Sequence, residues 1–532
     1  MFYRGYSILT ALARAEGLPS PRATGEAVPA AEASARASMA VPIGDMPLSK
    51  RLTDPDAYRA VQRARRDCLE ALLPIEADEA ALRRAVDLIC AVCEESRWSE
   101  NAARAPFDDD AHPDIDFQCA ETLMLLGWTA RALGDRLTSR VAGKLVYEAR
   151  RRVFSPFLAH EDYPFMRGRG RRPLCILCDI LLSAILLETS EQRRSAIMKQ
   201  ALRLIDQAIG TRADAVESLE DAAAETGAVT DLAALLRRLT RDRLDLTPEY
   251  PTPDWLDGLL YPWLEGEWFC DPAGAGMLPQ VSGAELFRIG LAANDDALTA
   301  LGASLHRARA IPSATLTGRL MDMGCRAALE AEGRKPPRIK CGATPRNRVM
   351  VSRFSGMTCA LHTGGRRANA GGVMLFCDGQ PILVEAPGHP NLPTVGGREQ
   401  LDAPDLACEA DFSPRPDRDT LSVELTHAWP AGLFRTCQRT AIVQRPDAAL
   451  RLVDALDLAE AAVVRFRFHT PFRPEPLTGG LRLGGVDFTW EGELTTKVGP
   501  VPDVDGLYKI ELTTPAPVGR AFYTFNFIRN DT

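Results

Sequence analysis

Four arginines crowd into one short stretch at Arg167, Arg169, Arg171 and Arg172, spaced by glycines. A guanidinium presents a planar fork that matches a carboxylate or sulfate with two parallel hydrogen bonds, so this string suits an acidic ligand; a solvated loop is the plain alternative. Arg366 and Arg367 form a second basic pair far along the chain. His362 and His389 carry imidazoles that could move a proton near neutral pH, although a lone histidine is more often structural. Trp98, Tyr163, Tyr261, Trp263 and Trp268 offer flat faces for stacking on a ring. Large aromatics at helical spacing are usually core, and Tyr261 and Trp268, set among glycine, proline and acidic residues, have the better claim to exposure. Cys90 and Cys93, and again Cys175 and Cys178, have the spacing of zinc or redox pairs, but both lie in apolar helical stretches where thiols pack as small hydrophobes.

The bulk properties narrow the partners. The chain has 532 residues, 46% of them hydrophobic and 25% charged, which predicts two or three globular domains. A net charge of -8 argues against nucleic acid, because phosphate binding needs a concentrated basic face. No apolar run approaches the ~18 residues that would cross a bilayer. The N-terminal residues MFYRGYSILTALARAEG read as a short amphipathic helix rather than a signal peptide, since charge returns at Arg14 and Glu16. Thirteen cysteines, several inside apolar segments, fit a reducing cytoplasm.

The elements that must position these residues change character along the chain. Residues 1–48 read as the helix and a flexible linker rich in Ala, Pro, Ser and Glu. From 49 to 335 the apolar residues recur at helical spacing, as in EAALRRAVDLICAVCEE and LCILCDILLSAILLE, which predicts repeated antiparallel helices in an α/α array. From 336 to 532 short β-branched runs alternate with Gly, Pro and Asp, as in VMLFCDGQPILVEAPG and VVRFRFHTPF, which predicts an antiparallel β-sandwich. Asp378-Gly379 between apolar runs predicts a tight hairpin.

Several segments, taken in order, resemble heparinase II/III-like polysaccharide lyases: CEESRWSENAA, SPFLAHEDYPFM, GGRRANAGGVMLFCDGQPILVEAPG, HPNLPTVGG and FRTCQRTAIVQRPDAALRLVDALDL. Together they cover residues from about 50 to 475. The resemblance implies an incomplete (α/α) toroid followed by an antiparallel β-sandwich, and β-elimination on a uronic-acid polysaccharide. That reaction needs a group to neutralise the uronate carboxylate, a base for the C5 proton and an acid for the leaving oxygen. In the family Asn and His serve the carboxylate, Tyr and His the proton transfers.

This chain departs from that pattern at most positions. After Trp98 the family's Pro-Ala-His-Asn is replaced by Asn101, Ala102, Ala103 and Arg104, and its Asn-Asn-Trp falls on Gly170, Arg171 and Arg172. Its Glu-Gly-Pro-Ser-Tyr-Trp falls on Glu217 to Ala222, keeping Glu217 and placing Asp221 where the tyrosine would be. Its His-Asn-His-Asn-Asp falls on Gly365, Arg366, Arg367, Ala368 and Asn369. The structural zinc of some members would rest on Arg367, Glu385 and Pro390, with His389 one residue out of step, so no metal or other cofactor is expected. EWFCDPAGAGMLPQVSGAELFRIG resembles a stretch beside the family's cleft, which brings Asp271 and Gln280 toward a ligand.

Three residues remain as candidates for the chemistry, Tyr261, His362 and Asn369. Arg169, Arg171, Arg172, Glu217, Asp221, Arg366, Arg367, Trp98 and Trp268 are the candidates for binding substrate. The expected partner is an acidic polysaccharide or oligosaccharide, with neither nucleic acid nor membrane, and a homodimer is left open. A lyase with substituted catalytic groups and a non-catalytic acidic-carbohydrate binder are the two readings carried forward.

Overall fold

Helix starts in the first part of the chain follow N-cap chemistry. A short polar side chain accepts the otherwise orphaned N–H three residues on, as Asp54 does from Ala57, Asp78 from Ala81, Asp116 from Cys119 and Asp295 from Leu298. The computed structural model describes residues 2–10, 41–44, 46–74, 78–100, 109, 111–211, 218–270, 281–336, 341–344, 348–354, 356–364, 369–386, 388–402, 408–445 and 448–530. The expected order holds: helices come first and antiparallel sheets follow. Most of the expected linker, and the sites at Glu217, Arg366, Arg367, Asp271 and Gln280, lie outside the described residues.

The chain divides into two compact units, and neither is one continuous stretch. The first holds the described residues up to 211, Ala223–Thr252 and Ser282–Lys335. The second holds 218–222, Pro253–Val281 and the chain from Pro336 onward.

In the first unit the helix Pro173–Leu187 is almost wholly buried and packs between Phe117–Leu133 and Glu191–Thr211. Its apolar run without a polar face is what a central helix requires. The helices Gly283–Ala293 and Asp296–Ala308 meet through glycine. A Cβ on Gly302 would lie 2.6 Å from the Gly283 carbonyl oxygen, so only a residue without a side chain lets the backbones approach this closely. Several buried charges in this unit are paired: Arg288 binds Asp231 and, at 2.8 Å, Asp322, while Arg65 and Arg66 converge on Glu95 at 3.1 and 2.8 Å. Among the described residues no helix is long and apolar enough to cross a membrane.

Among the described residues the second unit contains three antiparallel sheets and a small hairpin. An eight-stranded sheet runs, in spatial order, Glu475–Leu477, Gly480–Leu483, Val486–Glu491, Val518–Arg529, Ala449–Ala462, Phe434–Gln444, Arg418–Glu424 and Ala410–Pro414. Alternate residues of Arg418–Glu424 are buried, the period of a strand with one face on a core. A five-stranded sheet holds Gly342–Thr344, Val349–Phe354, Met357–His362, Val373–Cys377 and Gln380–Leu383 in sequence order. Asp378 and Gly379 both take positive φ, 49° and 77°, as the expected two-residue hairpin demands. Buried Arg439 ties the layers together. It grips Asp454 through two bonds of 2.6 and 2.7 Å and donates to the carbonyls of Gly371 at 2.8 Å and Asn391 at 2.6 Å.

Candidate functional site

Arg169, Arg171, Arg172 and Trp98 fall in the first unit; Asp221, Tyr261, Trp268, His362 and Asn369 fall in the second. Arg167, Arg169 and Arg171 are exposed in the turn ahead of the helix Pro173–Leu187. Arg172 is different: it is buried at the helix N-cap with φ 54°, and its guanidinium lies 5.1 Å from the Phe117 ring centre. The positive end of the helix adds to the arginines, so this turn is a place where an anion would be favoured. Trp98 does not offer a face to a ligand. It is 1% exposed, its indole N–H donates to the Val92 carbonyl at 2.9 Å, and Arg152 covers its ring, so it is a core residue. Asp221 is buried in the first turn of Leu219–Leu239, its N–H bonded to Ser218 Oγ.

The proton-transfer candidates all fall in the second unit, but two of them, His362 and Asn369, are enclosed. His362 ends the strand Met357–His362 and is 1% exposed. Its Nε2 stands 3.3 Å from Cys270 Sγ and 3.3 Å from Glu385 Oε2. Burial opposes charging of the ring, but the Cys270 thiol and the Glu385 carboxylate outweigh it and hold His362 well above the ordinary imidazole range. In a nucleophilic relay the two partners engage opposite ring nitrogens. Here both stand nearest Nε2, with Cys270 Sγ also 4.0 Å from Nδ1, so the three side chains form a buried polar cluster without the opposed-nitrogen arrangement of a relay. Glu385 also accepts the Asn391 N–H at 2.9 Å, which leaves it committed inside the fold.

Asn369 begins the turn that leads back into the sheet. Its carbonyl accepts the Gly372 N–H, and its side chain is buried with neither amide atom hydrogen-bonded. Tyr261 is half-buried, and Arg353 donates to its carbonyl at 2.6 Å and also to that of Trp263. Burial, reinforced by the nearby Asp257, raises the Tyr261 phenol above its usual value, which keeps it protonated and suited to donate rather than accept. Trp268 is half-buried, edge-on to Phe376 at 5.6 Å between ring centres.

The positions that would carry the zinc of some heparinase-like proteins do not fit that metal. Pro390 offers no donor, Glu385 is engaged by His362 and Asn391, and His389 packs its ring 5.6 Å from that of His469. The paired cysteines behave as packing groups, and burial pushes the Cys93 thiol up to about 12. Sequence reasoning missed Cys270, which sits alone in its segment and meets His362 only through tertiary contact.

A helical unit followed by antiparallel sheets is the architecture of polysaccharide lyases built from an α/α toroid and a β-sandwich. Solved structures of such lyases carry this likeness of fold, two of them as follows. The Streptomyces coelicolor chondroitin AC lyase, in complex with chondroitin sulphate, matches with a TM-score of 0.56 and 12% identity over 100% of this chain and 82% of that one. A Paenibacillus xanthan lyase matches with a TM-score of 0.51 and 10% identity over 89% of this chain and 54% of that one. A heparinase III matches more loosely, at a TM-score of 0.43 and 10% identity, and carries no argument about family. No protein-family model and no curated protein matches the sequence.

Proposed function

We propose that this protein is a lyase-fold protein that takes an acidic polysaccharide or oligosaccharide, with the machinery for β-elimination largely substituted. The observation that carries the reading is the exposed arginine turn, Arg167, Arg169 and Arg171, ahead of a buried helix in a fold shared with a chondroitin lyase. Guanidiniums there would pair with uronate or sulfate groups, and the ionic attraction would weaken with added salt. If elimination survives, Tyr261 is the candidate with solvent access, protonating the departing oxygen.

A second reading, binding without turnover, is favoured by the enclosure of His362 and Asn369 at 1% and 2% exposure, because a group that touches substrate must reach it. One experiment separates the two. The full chain is mixed with chondroitin sulfate, hyaluronan and other acidic polysaccharides, following ultraviolet absorbance of an unsaturated uronate and, in parallel, binding by calorimetry. Salt-sensitive binding that falls about tenfold in the double variant Arg169→Ala/Arg171→Ala supports the proposal. Absorbance that appears with the native chain and vanishes in Tyr261→Phe selects the enzyme, and binding without absorbance selects the binder. No binding to any acidic polysaccharide overturns both.

A further inference from the structure

Two of the seven histidines in the chain, 48 positions apart in sequence, come together in the helical unit with an aspartate. The short helix Ser155–Ala159 ends at His160, whose backbone turns to an extended conformation, and Asp162 and Tyr163 follow. The Tyr163 hydroxyl donates to the Pro113 carbonyl at 2.8 Å in a buried bond, which fixes the loop carrying His112 against this turn. His112 then packs against two rings at a tilt, its ring centre 4.4 Å from that of His160 and 4.7 Å from that of Tyr163.

One donor atom from each of His112, His160 and Asp162 lies within 4.8 Å of the others, and His112 Nε2 is 2.9 Å from Asp162 Oδ1. Around a divalent ion with bonds of about 2.0–2.2 Å, neighbouring ligand atoms stand roughly 3–3.5 Å apart, so small rotations of the half-buried imidazoles and the exposed carboxylate close the set. The second ring nitrogen of His160 supplies the independent sign. Nε2 lies 3.0 Å from the Ala111 carbonyl oxygen. A carbonyl only accepts, so Nε2 carries the hydrogen and Nδ1 is left with its lone pair. A backbone carbonyl that fixes the tautomer and orientation of an imidazole is the usual support of a metal-bound histidine.

We propose that His112, His160 and Asp162 form a binding site for a divalent transition metal ion of the zinc, cobalt or nickel kind. Two imidazoles and one carboxylate select such borderline ions over magnesium or calcium, which prefer all-oxygen shells. Three protein ligands leave at least one position open to water or to an anionic group of a ligand. The site is independent of the saccharide reading: His160 and Asp162 lie in SPFLAHEDYPFM, one of the lyase-like segments, but none of the three residues is among the catalytic or substrate-binding candidates.

The test uses the full, tag-free chain, stripped with chelator and titrated with cobalt(II) and then zinc. One equivalent should bind with a dissociation constant in the micromolar range. The cobalt spectrum should show ligand-field bands without a thiolate charge-transfer band, which distinguishes this site from any built on the cysteines. His112→Ala and His160→Ala should each weaken binding by about tenfold or more while leaving the helical circular dichroism unchanged. A thiolate band, equal binding by the double variant His112→Ala/His160→Ala, or no binding in the micromolar range would overturn the proposal.

Discussion

Replacing Glu285 with glutamine should make the protein more stable at alkaline pH and change its response to pH in a calculable way. Glu285 occupies the first turn of Gly283–Ala293, with its N–H on Ser282 Oγ, and its Oε1 is buried with no hydrogen-bond partner. The side chain lies hard against Gly227, where an added Cβ would come within 2.6 Å of Oε1. Burial raises its pKa from 4.5 to about 8, against the pull of Arg288 and with the push of Asp322 and Asp231.

The sign follows from proton linkage. A carboxyl raised on folding is protonated more readily in the folded chain, so its contribution is fully favourable below about 4.5 and is lost as pH rises through about 8. The loss runs at about 1.4 kcal/mol per pH unit in that window, a total on the order of a few kcal/mol. Glutamine has nearly the same shape and no proton to lose. Urea unfolding of the helical unit by circular dichroism at pH 5, 6, 7 and 8 should therefore show native protein and Glu285→Gln diverging steadily, with the variant ahead at pH 8. Asp231, raised by burial to about 6, titrates in both proteins, and its repulsion of Glu285 is part of the difference. A gap between the two that stays flat with pH, or closes as pH rises, would refute the reasoning.

Further outcomes follow from the same physics. His469 is buried with Nε2 unpartnered and is lowered by burial to about 3, so the native protein should lose stability as pH falls below about 6.5, and His469→Gln should lose less on the same urea melts. Arg439→Leu strands the buried Asp454 carboxylate and two carbonyls, and should cost about 3–5 kcal/mol in denaturant unfolding of the β unit. Gly302→Ala forces a methyl group into the backbone of the facing helix and should lower the melting transition of the helical unit by about 1–3 kcal/mol or more.

The helical spacing before Pro336, the change of texture after it and the Asp378-Gly379 hairpin were legible because periodicity and turn chemistry are local. Residues that act through distant contacts were not. Trp98 stands beside Ser99 and Glu100, with the polar look of a surface, yet Arg152 folds over it. His362 could be marked as titratable, but its partner Cys270 lies 92 positions away and leaves no spacing to read. The same holds for His112 and His160, and for Glu285, whose charge looks like an ordinary first-turn acid until Gly227 is found against it. The stretch from Pro253 to Val281 sits between helical segments and gives no local sign that it packs with the sheets.

That excursion has a practical meaning for anyone dissecting the molecule. Leu264, Cys270 and Trp268 cover Val349, Val351, Ala360, Met374 and Phe376. A fragment beginning at Pro336 would leave this greasy flank wet and sticky, inviting self-association, whereas one that carries 253–281 on a tether would keep its own lining.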